Sequence, residues 1–280
     1  MSERAQTGRE AAPQPVRARV NFVRRGAGEP LVLIHGIGHR WQAWLPIMEE
    51  LAAHHEVIAL DLPGFGASPV PPGGMPSDMA QTVAGLVTFL AGEGLDQPHV
   101  AGNSLGGAIA LELAVAGVAR SATAFSPAGF FTAREVRRAM LILKTMRASS
   151  FLPATVARAT LRFPTIRAIC FGPLVAYPRR IDPLMAAQDA AAFRAGRGFT
   201  AVARASHRYR FHGATAVPVT VAWGDRDRIL RPHQARRARE LLPQAHHVIL
   251  PGCGHVPMND NPALVASLIM QTTGAIPVRS

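Results

Sequence analysis

The sequence predicts an α/β fold: a mostly parallel, doubly wound sheet carrying one helical insertion. Three observations predict it. Short, continuous apolar runs such as Leu31 to His35 recur along the chain, as strands buried on both faces should. Segments with helical spacing of apolar residues separate them. That alternation stops near Gly129 and resumes near Val217. A length of 280 residues with 48% hydrophobic composition supports a sizeable core.

The elements follow in order. Residues 1–15 are polar, without the apolar stretch of a secretory signal, and read as a tail on a cytoplasmic protein. Val16 to Arg25 alternates apolar and basic residues as a strand, turned by Gly26 and Gly28. Leu31 to His35 is a buried strand, and Trp41 to Leu51 has helical spacing. Val57 to Leu60 is the next strand. Pro69 to Pro76 is a rigid loop, and Met79 to Leu90 a helix with Asp78 as N-cap. His99 to Gly102 is a strand that passes at once into a helix from Leu105 to Val115, and Ala122 to Phe125 is another strand. Beyond it, Val136 to Met146, Ala154 to Leu161 and Met185 to Arg194 read as helical pieces. Pro153, Pro164, Pro173, Pro178 and Pro183 read as breaks between them. Strands at Val217 to Trp223 and His247 to Leu250 alternate with helices at His233 to Leu242 and Pro262 to Gln271. The expected organisation is a core of residues 16–128 and 214–280 and a helical insertion of residues 129–213.

The net charge is +12, and the insertion holds the whole imbalance, with fifteen basic against three acidic residues. The arginines are scattered among apolar residues and form no run with aromatics for base stacking, which argues against nucleic acid. An anionic substrate or peripheral contact with an anionic membrane fits the charge; solvated arginines fit it equally. Cys170 and Cys253 read as two buried thiols, neither a disulfide scaffold nor a zinc site. His246 and His247 lack a carboxylate at ligand spacing, so no metal is expected. The absence of a G-x-G-x-x-G turn argues against a dinucleotide. No oligomeric state is indicated.

The strongest chemical signal is Gly102-Asn103-Ser104-Leu105-Gly106-Gly107 at the strand-to-helix handover. A serine on that turn projects its hydroxyl above the strand end, and flanking glycines allow close strand–helix approach. A serine nucleophile needs a base and an orienting acid. Asp225 and Asp227 follow one later strand, and His255 follows the next, all at the carboxyl edge where ligands bind in open sheets.

These motifs resemble the α/β-hydrolase family, in its serine hydrolase branch with a helical cap. The resemblance spans about Val16 to Thr273 outside the insertion. It rests on Leu33-Ile34-His35-Gly36, on Asp61 to Ser68 (DLPGFGAS), on Gly102 to Gly107 and on Gly254-His255. It implies Ser104 as nucleophile, His255 as base and an acid three residues after Gly224, which selects Asp227 over Asp225. Asp225 would then brace the loop. The implied oxyanion donors are the backbone N–H groups of Ile37 and Leu105, and the insertion would cap the site.

No organic or metal cofactor is implied, and the expected partner is a small-molecule ester. His35 and Asp61 are expected to organise their turns, and His39 and Arg40 to lie near the oxyanion loop, where contact with substrate and a surface role fit equally. Serine at position 104 disfavours epoxide opening and dehalogenation. Val256, where carbon–carbon bond hydrolases place an aromatic residue, counts against that subgroup. The expected activity is cleavage of a carboxylic ester of a small or medium apolar acyl group. Carbon–carbon bond hydrolysis, acyl transfer, perhydrolysis and non-catalytic ligand binding stand as alternatives. Phe130, Phe131, Met140, Leu141, Leu143, Phe151 and Leu152 are candidates for an acyl pocket or for the insertion's own packing face.

Overall fold

The computed structural model describes residues 19–277, so the tail of residues 1–15 lies outside the described residues. Among the described residues, seven strands form one sheet: β1 (Phe22–Arg25), β2 (Pro30–Ile34), β3 (Glu56–Leu60), β4 (His99–Asn103), β5 (Ser121–Phe125), β6 (Val219–Gly224) and β7 (His246–Leu250). Their order is β1-β3-β2-β4-β5-β6-β7, and every pairing is parallel except β1 with β3. β1 is shorter than the sequence pattern implied. Residues 16–18 lie outside the described residues; the Asn21 carbonyl still accepts the Asp61 N–H (2.8 Å), but its own N–H donates to Ser68 Oγ (2.8 Å).

Each central strand is buried on both faces, and its side chains alternate between two cores. Val32 and Ile34 pack with helices α2 (Met79–Gly92) and α3 (Leu105–Val115). Leu31 and Leu33 pack with α1 (Leu45–Ala52) and α11 (Pro262–Thr273) on the opposite face. The sheet is therefore doubly wound, as expected. Asp78 caps α2 by accepting from the Gln81 N–H (2.9 Å). α3 is buried on nearly every side, and its sequence is apolar apart from Glu112.

Between β5 and β6 lie α4 (Ala133–Ser149), α5 (Ala154–Leu161), α6 (Pro164–Phe171), α7 (Pro183–Ala195) and α8 (Phe199–Ser206). The prolines read as breaks mostly mark helix starts. Pro164 and Pro183 open α6 and α7, where a missing N–H has no intrahelical acceptor to lose. For that reason α6 escaped the sequence reading. α9 (Gln234–Leu241) follows β6, and the one-turn α10 (Pro257–Asp260) and α11 follow β7.

Arginine holds the helical segment together by donating to backbone carbonyls. Arg147 reaches the carbonyls of Phe193, Arg194 and Gly196, and the buried Arg167 reaches those of Leu161, Arg162 and Arg179. The planar five-donor guanidinium can bridge several carbonyls at once, which an ammonium cannot do with the same geometry. Much of the arginine excess is thus structural.

Glu135 anchors α4 to the core. It forms a capping box with Thr132 and accepts from Arg237 and His233. Burial raises its pKa, but the hydrogen bonds from Arg237, Thr132 and His233 outweigh burial and hold it at about 2.

Candidate functional site

The carboxyl ends of β2, β4, β6 and β7 meet at one edge of the sheet, and the residues singled out by the sequence gather there. Ser104 leaves β4 with φ 58° and ψ −112°, a left-handed backbone that a serine adopts only under constraint. Two contacts impose it. A Cβ at Gly102 would lie 2.1 Å from the Gly106 carbonyl oxygen, and one at Gly106 would lie 2.0 Å from that of Ile34. Only glycine permits this closeness of strand and helix. The Ser104 N–H donates to the Phe125 carbonyl (2.9 Å), which ties the turn to β5.

His255 Nδ1 lies 2.8 Å from Asp227 Oδ2. Both are buried, at 4% and 3% exposure, as is Ser104 at 8%. The other Asp227 oxygen accepts the N–H groups of Ile229 (2.8 Å) and Leu230 (2.9 Å). With one oxygen fixed by backbone, the second is aimed at the imidazole. Asp225 instead accepts the Gly252 N–H (2.8 Å) and joins the loop after β6 to the turn after β7.

Ile37 follows Gly36, whose Cα faces Ser104: a Cβ there would meet the Ser104 Cβ at 3.3 Å. The Ile37 N–H donates to no acceptor among the described residues. Leu105 is the first residue of α3, where backbone N–H groups have no intrahelical partner.

His35 is a brace. Its Nε2 accepts the Leu62 N–H (2.9 Å), so the proton sits on Nδ1, which donates to the Gly36 carbonyl (2.7 Å). Burial lowers its pKa to about 4 and keeps the ring neutral. Asp61 organises its turn as expected, accepting from Trp41 N–H, Ala67 N–H and Asn21 Nδ2. A Cβ on Gly66 would sit 2.2 Å from its carboxylate.

Two positioning residues were not visible in the sequence. Asn103 Nδ2 donates to the His255 carbonyl (2.8 Å), which fastens the histidine loop to the serine turn. Asp260 accepts the N–H groups of Gly254 (2.8 Å), Ala176 (3.0 Å) and Tyr177 (3.1 Å). His255, the partner of Asn103, and Ala176 and Tyr177, partners of Asp260, lie far away in the chain, so no local pattern marks those contacts.

A cavity of about 130 Å³ opens over Ser104 and His255. Its floor is Gly36 to His39, Asn103, Ser104, His255 and Val256, and its walls include Leu143, Met146, Leu152, Phe171, Leu174 and Phe193. Of the seven acyl-pocket candidates, only Leu143 and Leu152 line it. Phe130, Phe131 and Met140 are buried in the core, while Leu141 and Phe151 face solvent. Met140 and Leu141 are neighbours on α4, and tertiary packing decides which of them turns inward, which periodicity alone does not orient.

Cys170 is not fully buried: it is half-buried and lines the cavity wall. Cys253 is buried, and burial pushes its thiol up to about 12. His247 Nε2 bonds the Leu242 carbonyl (2.8 Å), and no metal-holding cluster occurs among the described residues.

The family model described as the alpha/beta hydrolase family matches residues 31–268. The chain belongs to that family. A lipase of Psychrobacter immobilis, Lipase 1, is 28% identical over 254 residues, covering 83% of this chain and 73% of the lipase. Shorter matches cover about a third of the relative's own length. One is a 2-hydroxy-6-oxo-2,4-heptadienoate hydrolase of Pseudomonas putida, 41% identical over 93 residues, which are 32% of this chain and 33% of that protein. Another is the dihydrolipoyllysine-residue acetyltransferase component of the acetoin cleaving system of Cupriavidus necator, 38% identical over 115 residues, which are 40% of this chain and 30% of that protein. A solved membrane phospholipase A is similar with a TM-score of 0.71 at 26% identity, over 91% of this chain and 82% of that one. This alpha/beta hydrolase is thus similar both to lipases and to a 2-hydroxy-6-oxo-2,4-heptadienoate hydrolase.

Proposed function

We propose that this alpha/beta hydrolase cleaves carboxylic esters of apolar acyl groups through Ser104, His255 and Asp227. The observation that carries the reading is the buried 2.8 Å contact of His255 Nδ1 with Asp227 Oδ2, beside a strained Ser104 under an apolar cavity. With Nδ1 held by the carboxylate, His255 presents Nε2 as the base. It takes the Ser104 proton as Oγ attacks the ester carbonyl, and Asp227 stabilises the imidazolium. The N–H groups of Ile37 and Leu105 meet the oxyanion; one such donor is typically worth about 10²–10³ in rate. His255 then protonates the departing alcohol and activates the water that frees the acid.

The cavity walls favour an apolar acyl chain. Its lining holds no lysine or arginine, which an anionic dienoate would require as a partner in a dry site. This supports ester cleavage over hydrolysis of a dienoate such as the one named for the Pseudomonas putida relative. The cytoplasmic location stays part of the proposal; no helix among the described residues is long and apolar enough to cross a membrane.

The test is labelling with a fluorophosphonate probe, on wild type and on Ser104→Ala, followed by p-nitrophenyl esters of increasing chain length. Labelling lost in the variant, with turnover rising along the series, is expected. A folded wild type that neither labels nor turns over esters, while cleaving a vinylogous diketone, would sink the reading.

A further inference from the structure

We propose that the turn between α4 and α5 docks on anionic membrane surfaces. Phe151 to Val156 (FLPATV) is a run of six consecutive exposed residues without a charge. Phe151, Leu152 and Val156 are 58%, 48% and 42% exposed. Such a contiguous apolar tip is unfavourable in water unless something covers it.

What surrounds the tip selects the partner. From Val136 to Ile181 there are nine basic residues and no acidic one. Arg147 stacks over the Phe151 ring at 5.3 Å, and Arg194 Nη1 donates to the Leu152 carbonyl (2.8 Å). Arg158 and Arg162 are exposed on the next turns, and Arg162 stacks over the exposed Phe163. The insertion's three carboxylates are engaged elsewhere: Glu135 with Arg237 and His233, Asp182 as the cap of α7, and Asp189 with Arg40. An apolar wedge ringed by guanidinium groups matches an anionic lipid surface, where the ring meets headgroups and the wedge enters the acyl boundary. A polyanion in water would satisfy the arginines and leave Phe151 and Val156 exposed.

The tip is also continuous with the site. Leu152 is exposed on one side and lines the cavity over Ser104 on the other. Docking would therefore bring the cavity mouth to the lipid. The docking surface stands independently of the ester reading; only delivery of an acyl chain into the cavity rests on it.

The test uses the full chain carrying Ser104→Ala, co-sedimented with phosphatidylcholine vesicles with and without phosphatidylglycerol. Binding only to the anionic vesicles, falling with salt, is expected. Phe151→Asp and the pair Arg158→Glu/Arg162→Glu should each weaken it at least about tenfold. Neither variant lies in the cavity, so in the Ser104 background both should hydrolyse a water-soluble ester as wild type does. Equal binding to both vesicle types, no binding, or binding indifferent to these substitutions would overturn the proposal. So would a dimer in solution that dissociates on Phe151→Asp. Failure of fluorophosphonate labelling would sink the ester reading and leave the docking result standing.

Discussion

Arg40 reaches from the loop after β2 to Asp189 on α7, with Nη2 at 3.0 Å and Nε at 3.3 Å from one carboxylate oxygen. Both side chains are only 15% exposed, and Asp189 lines the cavity. The loop that carries the Ile37 N–H is thereby fixed to the helix that roofs it. Arg40 was legible as a residue near this loop, but its partner, 149 positions away, was not.

Removing either partner should loosen α7 against the loop. Arg40→Ala and Asp189→Ala should each destabilise the protein by about 1–3 kcal/mol, since each leaves a largely buried charge unpaired. The double substitution should cost little more than one alone. A double-mutant cycle by denaturant unfolding measures the coupling; full additivity would show that the pair is idle.

The two aspartates after β6 should separate cleanly. Asp227→Asn should lower ester turnover by about 10⁴, because an amide cannot hold the imidazole as its carboxylate does. Asp225→Asn only weakens a loop brace and should change kcat by less than about tenfold. Steady-state kinetics of both variants on one ester decide the assignment, and the reverse order would move the acid to Asp225.

Gly38→Ala should be poorly tolerated. Its φ is +77°, and a Cβ would lie 2.2 Å from the Phe193 ring, so α7 must shift. A loss of about 1–3 kcal/mol is expected, with a fall in kcat as the Ile37 amide moves. Thermal unfolding and kinetics of the one variant report both effects.

Glu135 gives stability a defined acid dependence. A carboxyl held at about 2 in the fold, against an ordinary value of 4.5, releases its proton more readily folded than unfolded. Its stabilisation is complete above pH 4.5 and is lost as pH falls from there towards 2. Glu135→Gln should cost on the order of 2–3 kcal/mol at pH 7, and the difference should vanish near pH 2. Unfolding free energies across that range check it; a difference independent of pH would refute the linkage.

Local rules made much of this protein readable from its residues. Buried strands announce themselves as continuous apolar runs, and Gly102 to Gly107 announces a strand-to-helix turn because only glycine allows that closeness. Asp78 as a cap and the turn chemistry of Asp61 also follow from short-range hydrogen bonding. What the tertiary structure decided depends on contacts between distant residues. Packing on the sheet sent Phe130 and Met140 inward and left Phe151 outside. Glu135 and Asp189, two of the insertion's few acids, found Arg237 and Arg40 across the chain. Asn103 became a brace of the histidine loop because the sheet brought His255 within reach, and Asp260 ties that loop to Ala176 and Tyr177 of the insertion. A sequence specifies φ, ψ and period locally, but which side chains face each other across a cavity is fixed only when the layers pack.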